Sequence, residues 1–417
     1  MMKNPAEALP AQAATAPLSS AFEPSTASLS LTAARPMALP IEARIIVLAL
    51  CFRLVGATVG FIANVAIPDY QNQGFTVMER PNAFWDRFAR WDSGWYHGIA
   101  SKGYQFVEGG RSNLAFFPVY PQLMGVVGRA IGGAQEDFYF AGILITWLSF
   151  AIAMPLLYRL ARLDLPHDSA VRATVYAAVF PSAYFFGVVY SESLFLLALV
   201  GAALAFRTRH WMWAAVAAAV MTATRVNGVM FLPALALIGW DAAGASPRDR
   251  RAALLAAAAG AAGIGAYSAF VYSISGNPFE WYDSITRWGY HPGGHPLAGL
   301  YAIAEQLMTR PYQFMITEKM APYDTLNAFA ATAALLSVPF VWQRFGRGYA
   351  AVIVMGLVLP LSSGQYEGLG RYCSVLFPLP ILFGSLKGET RHLGLMTGFV
   401  LFYALGLVLF GNVHPLF

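Results

Sequence analysis

The chain has 417 residues, of which 57% are hydrophobic and only 12% charged, against about a quarter charged in soluble domains. That balance excludes an ordinary soluble enzyme, and the net charge of +5 speaks of membrane topology rather than of nucleic acid. Apolar runs reach the roughly 17 to 25 residues that cross a bilayer core, without the alternation of a transmembrane barrel. An all-α polytopic membrane protein is the class that fits.

In chain order, residues 1–41 are rich in Ala, Pro and Ser, lack the apolar stretch of a signal peptide, and read as a disordered cytoplasmic tail. The rest, 42–417, reads as one membrane domain. Spans are expected at about 43–66, 137–160, 172–190, 191–206, 211–224, 227–240, 252–275, 322–342, 349–363, 372–386 and 392–411, which makes about eleven. The stretch 115–133 is apolar but begins with two prolines and reads as half-embedded. Two cysteines, Cys51 and Cys373, fall in or beside spans and read as buried, inert thiols.

With 115–133 left out of the count, alternate turns hold Arg159, Arg162 and Arg172, then Arg207 and Arg209, then Arg248, Arg250 and Arg251, then Arg344 and Arg347, then Lys387 and Arg391. The positive-inside rule places all of them in the cytoplasm, with the N-terminus inside and the C-terminus outside. Two long extracytoplasmic loops follow, over about 67–136 and 276–321. Neither is long enough for a nucleotide-binding domain.

The first loop carries the densest polar and aromatic stretch, FWDRFARWDSGWYHGIASKGYQF, residues 84–106. As one helix over 84–101 it would be amphipathic, with an aromatic face suited to the membrane interface and with Asp92 inside that face. A carboxylate there is costly unless it is paired, caps a helix or works. The alternative is a helix that starts at Asp92, with DSGW as its cap. Function and capping are compatible and both stay open.

Other polar residues also stand out. Glu192, in YSES, reads either as a helix-start carboxylate or as a second acid that binds the acceptor or tunes Asp92. Arg225 and Arg371 sit at outer helix ends, where topology disfavours positive charge, so each needs an anion: a phosphate, or Glu192, Glu367 or a headgroup. Asn113 is either a turn residue or a sugar ligand. The stretch 281–295 mixes Trp281, Tyr282, Asp283, Trp288, His291 and His295, as a sugar site or an interfacial anchor would. His291 and His295 are separated by PGG, which denies them a common helical face and argues against a metal pair.

RWDSGWYHGIASKGY, NLAFFPVYP, FPSAYFFGVVYSESLF, ATRVNG and RYCSVLFPL follow one another over about 85–380. Together they resemble the PIG-V family, the mannosyltransferases that add the second mannose in GPI-anchor synthesis, and their bacterial relatives. The resemblance implies a GT-C-type helical bundle that takes sugar from a polyprenyl phosphate on the extracytoplasmic face. It implies Asp92 as the catalytic acid/base. Trp95 stands where eukaryotic members carry a histidine, so His97 inherits no role. On this reading Arg225 and Arg371 bind the donor phosphate. Trp91, Trp95, Tyr96, Asn113, Glu192, Asn227 and Glu367 bind acceptor or sugar. No cofactor or metal is called for, the partners are the lipid donor, a glycan or glycolipid acceptor and membrane lipids, and the Ala-, Gly- and Arg-rich composition points to a bacterial cytoplasmic membrane. The alternative class is a transporter or flippase for lipid-linked sugars, which would carry its functional charges near mid-bilayer.

Overall fold

The structure is a computed structural model that describes residues 39–70, 86–291, 293–364 and 366–416. The tail expected over 1–41 lies outside these residues up to residue 38, as do Phe84, Trp85 and the Asp86 side chain. Among the described residues every regular element is helical: α1 (Ile41–Ala66), α2 (Ser93–Lys102), α3 (Val119–Ile131), α4 (Gln135–Arg162), α5 (His167–Ala178), α6 (Glu192–Arg207), α7 (Trp211–Thr224), α8 (Gly228–Ala243), α9 (Pro247–Gly260), α10 (Ala262–Ser275), α11 (Glu280–Arg287), α12 (Ala298–Thr309), α13 (Pro311–Thr317), α14 (Ala321–Phe345), α15 (Arg347–Leu361), α16 (Leu369–Ser374), α17 (Pro378–Gly384) and α18 (Glu389–Gly411).

Among the described residues, five helical stretches are long and apolar enough to cross a membrane: α1, α4, α9 with α10, α14 and α18. Helices α7, α8 and α15 are apolar but shorter. The pattern is that of a polytopic membrane protein. Leu, Val, Phe and Trp side chains on α1, α4, α14 and α18 stay exposed, as lipid-facing residues do. Cys51 is on that exposed face of α1, not buried as expected, whereas Cys373 is buried. Helix α3, of 13 residues, extends about 20 Å at 1.5 Å per residue, too short to span.

Several expected boundaries shift for local reasons. The span expected at 172–190 stops at Ala178. Pro181 biases Phe180 away from the helix, and the chain continues irregularly through a 3-10 turn, Ala183–Gly187, to Ser191. The span expected at 372–386 is two short helices, because Pro378 starts α17 afresh. The run at 252–275 lies within α9 and α10, which meet at Ala261. The loop 276–321 holds three helices, α11 to α13, which hydropathy alone did not reveal.

The irregular segment 179–191 is buried, so its backbone groups need partners inside the protein. Trp147 Nε1 donates to Gly187 O at 3.0 Å, Thr146 Oγ1 to Tyr190 O at 3.2 Å, Ser93 Oγ to Val189 O at 3.1 Å and Val189 N to Phe88 O at 2.9 Å. Arg53, from the middle of α1, donates to the carbonyls of Ala178 and Ala183 and lies over the Phe150 ring at 4.6 Å. This clasp fixes where α6 begins, and α6 begins with Glu192.

Candidate active site

A cavity of about 650 Å³ lies at the end of the bundle where α7 meets α8, walled by α2, the turn after Ser112, α11 and the stretch 359–372. The opposite helix ends carry ion pairs of their own, Arg207 with Asp164 at 2.7 Å and Arg347 with Asp241 at 2.7 Å. Trp91, Asp92, Trp95, Tyr96, Arg225, Asn227, Glu367 and Arg371 all line the cavity. Residues from three separate stretches, 91–96, 225–227 and 367–371, are therefore brought together.

Asp92 occupies the N-cap position of α2, yet its side chain makes no capping bond. The continuous helix over 84–101 does not form: Trp91 has φ of 50°, a left-handed conformation that costs a tryptophan of order 1 kcal/mol and persists only where its surroundings fix it. The fixing contacts are present. Ser93 holds Val189 O, and Asp92 N donates to the Tyr190 hydroxyl at 3.3 Å. With its backbone so anchored, the Asp92 carboxylate turns to Arg371, whose Nη1 donates to Oδ2 at 2.8 Å.

Arg371 reaches further. Its Nε lies 2.9 Å from Glu192 Oε1, an ion-pair contact without the alignment of a hydrogen bond. The same Oε1 accepts from Arg225 Nη1, which also donates to Ser191 Oγ at 3.3 Å. Ser191 Oγ in turn meets the Tyr96 hydroxyl at 3.0 Å. The guanidiniums lie near aromatic faces, Arg225 with Tyr372 at 5.3 Å and Arg371 with Tyr190 at 5.2 Å. The result is a chain of four alternating charges, Asp92, Arg371, Glu192 and Arg225. Asp92 is 27% exposed and Glu192 1%. Glu192, read as an acid that binds the acceptor or tunes Asp92, therefore lies outside the cavity lining.

Asn113, read as a turn residue or a sugar ligand, also lies outside the cavity lining. Its Oδ1 accepts from Gln105 N at 2.8 Å and its Nδ2 donates to Gly103 O at 3.2 Å, so it staples a loop instead of facing the cavity. His97 likewise stacks on Tyr139 at 4.1 Å and meets Gln135 O at 3.1 Å. Glu367 faces Asp92 across the cavity, and burial, with Asp92 second, raises its carboxyl above the usual range. Burial also raises the Tyr290 hydroxyl beside it.

The second loop supplies an aromatic wall. Trp288 meets Trp95 edge-on at 4.7 Å, Trp95 stacks on Phe116 at 5.8 Å, and the Arg111 guanidinium lies 5.0 Å from the Trp288 ring. Trp281 and Tyr282 join this wall, while His291 N and Gly294 N donate to Ser363 O and Ser362 O and tie the two mouth loops together. Sequence reasoning missed Arg111, Tyr290 and Tyr372. Tyr372, next to Arg371, and Tyr290, inside the 281–295 stretch, each lay beside a signal.

The cavity thus gathers a carboxylate, two guanidiniums and an aromatic wall inside a helical membrane protein. Residues 39–239 match the family described as Mannosyltransferase (PIG-V). No curated protein gives a significant match. Among solved structures, the chain is similar to the archaeal oligosaccharyltransferase AglB from Archaeoglobus fulgidus in complex with an inhibitory peptide and a dolichol-phosphate, at 11% identity and a TM-score of 0.43, over 88% of this chain and 55% of that one. The apo form of the Archaeoglobus fulgidus oligosaccharyltransferase gives 10% identity and a TM-score of 0.44, over 87% and 55%. The chain thus spans about half the length of these structures, and a likeness so remote has no bearing on activity.

Proposed function

We propose that the chain is an inverting glycosyltransferase of the GT-C type that moves a sugar, mannose by family, from a polyprenyl-phosphate donor to an extracytoplasmic glycan or glycolipid acceptor. Asp92 Oδ takes the proton of an acceptor hydroxyl while that oxygen forms a bond to the anomeric carbon. The bond from that carbon to the phosphate oxygen breaks on the opposite face, and the phosphate leaves with the electron pair. Arg225 and Arg371 stabilise the charge that develops there. Trp95, Trp288 and Phe116 offer apolar faces to the sugar ring, and Asn227 and Glu367 offer hydrogen-bonding groups.

The observation that carries this reading is the convergence of Asp92, Arg371 and Arg225 on one cavity at one end of the bundle. The arginine-rich turns at the opposite helix ends support an orientation with the N-terminus inside and this cavity outside, and the Ala-, Gly- and Arg-rich composition supports a bacterial cytoplasmic membrane. The test gives the purified protein polyprenyl-phosphate mannose or GDP-mannose, each radiolabelled, with a membrane extract as acceptor. Transfer from the lipid donor is expected; transfer from GDP-mannose alone would overturn the mechanism.

A further inference from the structure

One charged group in the cluster has no step in the proposed reaction. Glu192 is closed off from the cavity, yet its Oε1 pairs with Arg225 and Arg371, whose side chains stay 11% and 12% exposed beside the ligand space. A carboxylate that cannot touch a substrate still changes how many positive charges the substrate meets.

The count is short. Arg225 and Arg371 carry two positive charges, Glu192 cancels one, and the deprotonated Asp92 cancels the other until it takes the acceptor proton. One net positive charge then faces the leaving phosphate, matching the single negative charge of a phosphodiester. A diphosphate diester carries two, and its surplus would stand against Asp92 and Glu367 in the same cavity. Resting on the lipid-phosphate reading above, we infer that Glu192 is a positioning and specificity-determining residue: it fixes both guanidiniums and sets the site's charge so that a carrier with one phosphate is taken over one with two. Its own place is secured by the start of α6, with Ser191 bridging Arg225 and Tyr96.

The experiment measures equilibrium binding of two probes to the purified full chain in detergent: a short-chain prenyl phosphate mannose and the prenyl diphosphate mannose of the same chain length. The readout is the ratio of their dissociation constants, which does not depend on the fraction of protein that is folded. Glu192→Gln adds one uncompensated positive charge and should cut the preference for the monophosphate at least about tenfold. Arg225→Gln alone should move the ratio the other way. The double variant Glu192→Gln/Arg225→Gln, which restores the count with neutral side chains, should return it toward wild type and serves if the single glutamine variant does not fold. A ratio unmoved by Glu192→Gln, or a double variant displaced as far from wild type as Glu192→Gln, overturns the inference. If the wild-type protein binds neither probe, the lipid-phosphate reading falls and takes this inference with it; if it binds both and only the ratios fail, that reading stands alone.

Discussion

Replacing Asp92 with Asn keeps the side chain's shape and leaves an oxygen to accept from Arg371 Nη1, now 2.8 Å from Oδ2, but removes the base. Loss of a general base lowers turnover by about 10² to 10⁴, equivalent to about 3 to 5 kcal/mol of transition-state stabilisation at 1.36 kcal/mol per tenfold. The effect on stability is much smaller. Asp92 is 27% exposed and Arg371 keeps Glu192 as a partner, so the lost ion pair is worth about 1 kcal/mol or less after solvent screening. Turnover at saturating lipid donor and acceptor, measured beside thermal unfolding in the same detergent, separates the two quantities. A hundredfold loss of turnover with an unfolding midpoint within a few degrees is expected. A loss under tenfold, or an equal loss in Glu367→Gln, would refute Asp92 as the base.

Three further outcomes are expected. Arg225→Ala and Arg371→Ala should each weaken apparent donor affinity by roughly tenfold to a hundredfold, since a charge-assisted contact is worth about 1.5 to 3 kcal/mol, while the acceptor constant moves little; wild-type donor constants in both would put the phosphate elsewhere. Glu367 has its carboxyl raised by burial and by Asp92, so it holds its proton above the ordinary carboxylate range and charges as pH rises through its folded value. Any stability this shift contributes is present at low pH and lost over that rise, and the new negative charge should weaken donor binding there, a trend that Glu367→Gln abolishes in a pH series. Gly370→Ala would place a Cβ 2.7 Å from Ser182 Oγ and 3.2 Å from Asn327 Oδ1, the acceptor of the Gly370 N–H; the shift passes to Arg371 and should raise the apparent donor constant with a smaller effect on unfolding.

Asp92 was legible because a carboxylate among tryptophans is costly, and Arg225 and Arg371 because positive charge at those helix ends breaks the topological rule. Their mutual arrangement was not legible. Asp92 and Arg371 are 279 residues apart, and nothing local in either motif specifies the other. Glu192 was visible as an acid, but whether it opens on the cavity depends on burial, which a sequence does not print. The stretch 172–190 misled because hydropathy records apolarity and not geometry: an apolar run with Pro181 and Gly187 inside it can be buried without being helical. Helices α12 and α13 are short and largely exposed, so they carry neither a span's length nor a clear apolar stripe.

Arg53 also bears on how the protein is made. Helix α1 is strongly apolar, with a mean hydropathy of 2.4 over its best window, yet holds a guanidinium near its centre, where insertion scales put the cost at about 2.5 to 3.5 kcal/mol. The carbonyls that accept from it belong to Ala178 and Ala183, 125 and 130 residues later in the chain. At about 5 to 20 residues per second, those partners are synthesised roughly 6 to 25 s after the first span emerges. Throughout that interval the newborn helix carries a cation without its carbonyl partners, so the insertion machinery or a water-filled groove has to shelter it until α5 and the segment behind it arrive.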